Sequence, residues 1–433
     1  MASRLEKHKS ISDSATCSHC NRRYEIPPQH KTIGHTLCPF CNEITIFNYL
    51  RHFTREWIEP LCVALVMAIL IKRTFMEIYV IPTSSMEPTL HGAGNYPKDG
   101  GDKVLVNKTA YAFGNKPQRW DVIVFLAPPK AVEKDVTKFF IKRLVGLPGE
   151  KLEIRNGDIF INDKIKRRPG DVLDEHLWPV FTSQTDLWSE HWNFTHGWVQ
   201  KGHGLAFSSD NKGTAEYTEE ITDWIESDDG KWDFSSLVGD IRVTCTCKFN
   251  RNTGEFGIAV TENTAVYTGT INWDAKTLSI GKNNTLCTSA PLPPGLTGPV
   301  DILFENIDGR IRLKTADCEI SWDDTDNLKW DSTTESGAAF YATSTDLVLS
   351  DVNLFRDLFY TNISSGVYQI PETGYFALGD NSSESKDSRY WNEVPKENII
   401  GKAIYVVWPI RIWPFSGTPP WPFAERTRAK KIR

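Results

Sequence analysis

Phe139-Phe-Ile-Lys-Arg-Leu-Val-Gly-Leu-Pro-Gly-Glu150 places a lysine and an arginine inside a run of aromatic and branched residues, then stops it with Pro-Gly. A short run of this kind, ended by turn residues, reads as a β-strand. Burial among apolar groups disfavours an ammonium ion, so Lys142 sits in a setting that lowers its pKa. On this stretch alone a surface strand lysine remains the alternative. Similar runs lie on both sides: Lys103-Val-Leu-Val-Asn107, Asp121-Val-Ile-Val-Phe125 and Asp158-Ile-Phe-Ile-Asn162. Each is β-branched and bounded by Gly, Pro or Asp, which predicts a mainly β core. The texture returns near the end in Ile399-Ile-Gly-Lys-Ala-Ile-Tyr-Val-Val-Trp408.

Between these two parts the chain changes character. Residues 171–370 carry about 13 Lys+Arg against about 31 Asp+Glu, roughly −18, so the remainder is basic although the whole chain is −6. Ile241, Val243, Cys245, Cys247 and Phe249 alternate with polar residues, and Phe256–Val260, Ala265–Ile271, Val300–Phe304 and Arg310–Lys314 follow at sandwich spacing. The tryptophans Trp178, Trp188, Trp192, Trp198, Trp224, Trp232, Trp273, Trp322 and Trp330 fit a lectin-type or laminin-G-like β-sandwich. Cys245, Cys247, Cys287 and Cys318 read as small core residues or as members of disulfides; Cys245 and Cys247 share a face and do not pair with each other. Asp323-Asp-Thr-Asp326 offers carboxylates that could ligate calcium, against the plainer reading of a solvated acidic loop.

At 433 residues, 40% hydrophobic and 24% charged, the chain has material for more than one core and is neither disordered nor a multi-span membrane protein. No basic patch interleaved with aromatics points to nucleic acid. The N-terminus lacks the apolar region of a cleavable signal. Cys17-Ser-His-Cys20 and Cys38-Pro-Phe-Cys41 have the spacing of a four-thiolate zinc ribbon, a segment too small to fold without metal. Residues 57–76 form the candidate membrane anchor. Their charge-free run, Pro60–Ile71, is short against the roughly 20 residues of a span, so a buried core helix is the competing reading.

Three separated stretches then combine: Tyr79-Val-Ile-Pro-Thr-Ser-Ser-Met-Glu-Pro-Thr-Leu90, Phe140–Glu150, and Gly379-Asp-Asn-Ser-Ser-Glu-Ser-Lys-Asp-Ser-Arg389. In this order, after an N-terminal anchor, the chain resembles the bacterial type I signal peptidases over about 55–163 and 374–409. The resemblance implies a membrane-bound serine endopeptidase that removes signal peptides from exported preproteins, with small residues before the cut. It makes Ser85 the nucleophile, with Ser84 its local rival, and Lys142 the general base. A serine hydroxyl needs such a base, and none of the three stretches contains a histidine. Thr83 and the Ser85 N–H correspond to the oxyanion hole, and Ser385 to the serine that orients the lysine amine. Asp387 pairs with Arg389, and Arg143 with Asp380. Ile81, Met86, Leu90, Phe140, Ile141 and Leu144 stand at positions suited to line the substrate pocket, where core packing explains them equally well. Ser382-Ser383-Glu384 departs from the family's usual Arg-Asp-Asn.

The resulting expectation is a signal-peptidase-type β catalytic core with one N-terminal transmembrane helix, split by a lectin/laminin-G-like insert. Its parts are a polar N-terminus (1–16), a zinc-ribbon-like segment (17–50), the anchor (57–76), the core (77–163 and 371–415), the β-sandwich (164–370) and a basic tail (416–433). Catalysis needs no cofactor; structural zinc binds Cys17, Cys20, Cys38 and Cys41. The partners are preproteins, membrane lipid and a glycan or protein ligand of the insert, with no nucleic acid. The resemblance places the protein in the bacterial cytoplasmic membrane, with its N-terminus in the cytoplasm and its catalytic part outside. A catalytically silent relative that binds surfaces through its insert is the alternative.

Overall fold

The computed structural model describes residues 14–31, 33–46, 53–93, 101–132, 138–223, 236–293, 296, 298–324, 326, 329, 332–363, 365–408 and 430–432. Trp224, Trp232, Trp330, most of the polar N-terminus and most of the basic tail lie outside these residues. The chain divides into two compact units, residues 1–77 and 78–433.

The first unit holds two antiparallel hairpins, Ser14–Thr16 with Arg23–Glu25 and His35–Leu37 with Ile44–Ile46. Each displays a cysteine pair at its turn. The turns repeat one geometry. Cys17 and Cys38 accept a backbone bond from Asn21 and Asn42, and both asparagines take positive φ. A π-helical turn at Thr54–Ile58 leads into the α-helix Glu59–Thr74, none of whose residues is buried. Its 16 residues rise only about 24 Å, against a hydrocarbon layer of about 30 Å. Glu59 at one end and Lys72 and Arg73 at the other shorten the apolar stretch further. Among the described residues no helix is long and apolar enough to cross a membrane. The segment 57–76 therefore appears as a short exposed helix running into the strand Met76–Val80.

The second unit is mainly β. Strands Val394–Pro395, Gly374–Leu378, Phe139–Gly146, Val122–Leu126, Ile399–Trp408 and Lys103–Asn107 lie side by side in that order. The lysine strand is central: Lys142 stands opposite Ile123, while Arg143 stands opposite Val122 on one side and Leu378 on the other. Val122–Leu126 and Gly374–Leu378 are almost wholly apolar and buried, so the lysine strand is held between two dry neighbours. Two clusters pack the sheet, one including Val104, Val106, Val122 and Val124, the other Ile123, Phe125, Leu144 and Trp391.

Residues of the middle region form two large antiparallel sheets, of eight and seven strands. Both contribute to one core that includes Phe207, Val243, Phe256, Tyr267, Phe304, Phe340 and Leu349. Trp188, Trp192 and Trp198 are buried there, and Trp273 and Trp322 pack against it, so these rings are core. Cys245 and Cys247 point inward as free thiols; Cys287 and Cys318 are likewise free. The acidic loop of 323–326 is tied down by cations, with Asp323 on Arg310, Asp324 on Lys282 and Asp326 on Lys329.

The joins differ from the expected 164–370. A four-stranded sheet runs Lys164–Ile165, Asp158–Ile161, Lys151–Arg155, Val367–Gln369, so both ends of that interval pair with core strands. Val172, Leu358, Tyr360 and Tyr368 bury against Leu152, Ile154, Ile159, Phe376 and Leu378. The reason is apolar area: the chain leaving and re-entering the core covers a face that would otherwise be wet.

Candidate active site

Ser85 sits in a tight turn whose ends Asp102 fastens. The Asp102 carboxylate accepts from the His91 N–H, and its carbonyl from the Ile81 N–H. Gly92 allows this closure, since a Cβ there would lie 2.2 Å from the Thr83 carbonyl carbon. The Leu90 N–H bonds the Met86 carbonyl at 2.8 Å, winding Ser85 toward the lysine strand. Lys142 Nζ donates to Ser85 Oγ at 2.5 Å, and both residues are buried. Thr83 is exposed and its Oγ1 donates to Ser85 Oγ at 3.4 Å. Ser84 is half-buried, and it is Ser85 that meets Lys142.

Burial lowers the Lys142 ammonium from its usual 10.5 to about 8. The Asp387 and Asp380 charges oppose that shift, while Arg389 assists it. Desolvation outweighs two carboxylates because the amine has lost its hydration and gained only one hydroxyl. A lysine so placed releases its proton near neutral pH and can then accept one from the adjacent hydroxyl.

Behind the pair lie two buried arginine–carboxylate forks. Arg143 grips Asp380 with Nε to Oδ1 at 2.9 Å and Nη2 to Oδ2 at 2.8 Å, and donates to the Trp120 carbonyl at 2.8 Å. Arg389 grips Asp387 with Nε to Oδ1 at 2.8 Å and Nη2 to Oδ2 at 2.8 Å. Asp387 also caps the helix Ser388–Trp391 and accepts the Gly379 N–H at 3.0 Å. Such two-pronged pairs fix orientation as well as charge. They hold the Gly379–Arg389 loop against the serine turn, where the Asn381 N–H donates to the Ser85 carbonyl at 3.2 Å.

Several expected roles find a different placement. Ser385 is buried beside Gly379, but its Oγ makes no hydrogen bond, so the expected bond to the Lys142 amine is not formed. Ile81, Met86 and Leu90 belong to a closed core cluster, and Leu144 to another. All four are buried: the turn winds Met86 and Leu90 inward, and Leu144 lies between Val122–Leu126 and Gly374–Leu378. Phe140 and Ile141 stay half-buried, Phe140 against Phe125 and Trp391.

Sequence reasoning missed Thr89, whose hydroxyl donates to Asp380 at 2.6 Å, and His176, buried 3.9 Å from the same carboxylate. It also missed Ser382 and Thr361, both bonded to Arg389. Thr89 and Ser382 stand inside the quoted stretches, but Ser382 is one polar residue in an all-polar loop and carries no sign that sets it apart. His176 and Thr361 arrive from distant segments that carry no local sign of the site.

Two further clusters of ligand atoms are present among the described residues. Cys17, Cys20, Cys38 and Cys41 bring four sulfurs within 4.8 Å of one another, with Cys17–Cys41 at 3.5 Å and Cys20–Cys38 at 3.6 Å. A tetrahedron of thiolates about 2.3 Å from zinc has edges of about 3.8 Å, so these four side chains fit that ion. The backbone N–H of Cys20 chiefly lowers the Cys17 thiol to about 6. Asp158, Asp240 and Asp308 also bring oxygens within 4.8 Å, and burial raises the first two well above the carboxylate range.

Residues 54–211 and 339–408, more than half of the chain, match the signal peptidase family, peptidase S26. The chain belongs to this family. Both matched intervals contain the site, with Ser85 and Lys142 in the first and the Gly379–Arg389 loop in the second. Among curated relatives, a probable signal peptidase I-1 of Synechocystis is 39% identical over 126 residues, covering 28% of this chain and 56% of the relative. Signal peptidase I P of Bacillus subtilis subsp. natto is 32% identical over 114 residues, 26% of this chain and 53% of the relative. The thylakoidal processing peptidase 1 of Arabidopsis thaliana is 35% identical over 124 residues, 28% of this chain and 34% of the relative. The chain spans about half the length of the first two and a third of the last.

Solved structures similar in part include a Bacillus subtilis protein with a galectin-like fold, at TM-score 0.31 and 11% identity, covering 42% of this chain and 98% of that one. The carbohydrate-binding module CBM66 from the same organism has TM-score 0.29 and 11% identity, covering 38% and 94%.

Proposed function

We propose that this chain is a signal peptidase I-type serine endopeptidase that cuts signal peptides from exported preproteins with a Ser85–Lys142 dyad. The observation that carries this reading is the buried contact of Lys142 Nζ with Ser85 Oγ, on an amine whose pKa is lowered to about 8. In the proposed reaction the neutral amine takes the hydroxyl proton as Ser85 Oγ attacks the scissile carbonyl. The Ser85 N–H and the Thr83 hydroxyl stabilise the oxyanion, each such donor contributing roughly 3–4 kcal/mol. Lys142 then passes its proton to the leaving amine, and water activated by the same amine releases the acyl group. Asp387, Arg389, Arg143 and Asp380 hold these parts in place and touch no reacting atom; Ser385 is assigned to packing beside Gly379. The chemistry needs no cofactor.

The same reading places the exposed apolar helix Glu59–Thr74 in the bacterial cytoplasmic membrane, with the cysteine hairpins in the cytoplasm and the second unit on the outer face. An apolar helix without a polar stripe has no stable place in water, which supports a lipid contact. One zinc ion on Cys17, Cys20, Cys38 and Cys41 would cross-link the two hairpins. The acidic sandwich is assigned to docking of protein or glycan, since none of its strands enters the Ser85–Lys142 contact. The deciding experiment is cleavage of a synthetic signal-peptide substrate by the full chain, by Ser85→Ala and by Lys142→Ala. Turnover by either variant at the wild-type rate would remove the dyad.

A further inference from the structure

The strand Thr345–Arg356 ends the sandwich, and the chain then runs back toward the core through Asp357–Thr361. This return hydrogen-bonds the Gly379–Arg389 loop at Thr361. The Thr361 N–H donates to Ser382 Oγ at 2.8 Å, and the two hydroxyls lie 3.1 Å apart. Arg389 Nη1 donates to three acceptors: the Thr361 carbonyl at 3.0 Å, Thr361 Oγ1 at 2.8 Å and Ser382 Oγ at 2.6 Å. Its other edge is taken by Asp387 and by the carbonyls of Ser382 and Ser385. The guanidinium is thus saturated, with half of its fork spent on the returning segment. From Arg389 the path to the nucleophile is short. Asp387 Oδ2 accepts the Gly379 N–H, and Gly379 packs so closely on Ser85 that a Cβ there would lie 2.4 Å from the Ser85 carbonyl oxygen.

We propose that Thr361 is a positioning residue of the peptidase site: through Arg389 and Asp387 it sets the Gly379 loop against Ser85, so the returning segment is part of the active-site scaffold. This rests on the reading of Ser85 and Lys142 as the dyad. Charge gives the proposal a readout that packing alone would not move. Lys142 faces Asp387 and Arg389 from the helix cap, Asp380 from the loop after Gly374–Leu378, and Ser85 from the turn. Asp387 holds the ammonium form and Arg389 opposes it. A guanidinium freed from Thr361 turns away and leaves Asp387 less compensated, which favours the protonated amine.

The test uses the full chain and three variants: Thr361→Val, which keeps the shape and removes the hydroxyl, Thr361→Ser, which keeps the hydroxyl, and Ser85→Ala. Steady-state cleavage of a signal-peptide substrate is followed from pH 6 to 10. Competitive labelling with acetic anhydride reads the Lys142 amine independently of turnover. Thr361→Val is expected to lower kcat at least about tenfold with KM within about twofold, and to move the acid limb and the labelling midpoint to higher pH by half a unit or more. Thr361→Ser is expected within about twofold of wild type on every measure. A Thr361→Val enzyme with wild-type kcat and midpoint overturns the proposal. So does a loss that serine does not rescue, or a valine variant that fails to fold while the serine variant folds. Wild-type turnover in Ser85→Ala would instead overturn the dyad, and the labelling midpoint would still decide whether Thr361 acts on Lys142.

Discussion

Lys142 is held where a charge is expensive, and the cost falls on the fold. Its amine binds a proton about 2.5 pH units less readily in the native chain than in water, worth about 3 kcal/mol. Below pH 8 both folded and unfolded chains carry that proton, and the folded one carries it at a disadvantage. Between pH 8 and 10.5 the unfolded chain keeps a proton the folded chain has released, so stability rises with pH across that window. Lys142→Met should therefore raise stability at pH 7 by about 2–3 kcal/mol, allowing for the lost Ser85 bond, with the gain gone above about pH 10.5. Urea unfolding at pH 7 and pH 10.5 checks this; an equal gain at both would mean that burial of the charge is not the cause. With Lys142 as the proposed base, the same titration governs the activity. The kcat/KM of the wild type should rise about tenfold per pH unit below pH 8 and level off above it. A flat profile from pH 6 to 9 would mean that Lys142 is not the base.

Among the elements, the lysine strand and the serine turn were legible from their residues, because each joins a polar group to an apolar run with a breaker at its end. The sandwich strands were legible for the same reason, alternation around Cys245 and Cys247 being a local pattern. What local pattern does not carry is which apolar residues are already spoken for. Met86 and Leu90 look like pocket walls from their place beside Ser85, yet the turn that carries the serine to the lysine strand buries them. Gly379 shows a related blind spot: its worth lies in what a side chain would strike. A Cβ there would meet Ser385 Oγ at 2.2 Å and the Ser85 carbonyl oxygen at 2.4 Å. Gly379→Ala should cut kcat at least about tenfold, whereas Gly170→Ala, with nothing within 4 Å of its new methyl, should leave cleavage unchanged. Equal activity of the two would show that the loop does not bear on Ser85. The hairpins of the first unit are too small for a core of their own, as among the described residues their buried hydrophobic cluster is Ala15, Cys17, Tyr24, Ile26 and Cys38. Elemental analysis should find one zinc per chain, lost in Cys17→Ser together with hairpin order; a zinc-free wild type with folded hairpins would count against the metal.

At the level of the whole molecule, sequence reading placed the acidic region as a separable insert because its charge and texture change near Lys164 and Ile370. Charge is a surface property, and it does not mark where the core's own packing ends. Lys164–Ile165 and Val367–Gln369 complete a core sheet, and Val172, Leu358, Tyr360 and Tyr368 fill its underside. Replacing 165–369 by a Gly/Ser loop would therefore strip a strand and four buried side chains from the core. At about 2–5 kcal/mol for each large apolar side chain removed, that loss exceeds the usual stability of a domain. The sandwich has a better exit. Trp178 pairs directly with Arg356 across antiparallel strands, so the two backbones are about 5 Å apart and a short turn can join them. Replacing only 179–355 with such a turn keeps His176 beside Asp380 and Thr361 on Arg389. The shorter excision should give a folded protein that still cuts a soluble signal-peptide substrate, while the longer one should give neither a cooperative melt nor cleavage. Activity in the longer excision would show that the joining segments are dispensable. A folded but inactive shorter excision would show that the sandwich itself, beyond its two connections, shapes the site.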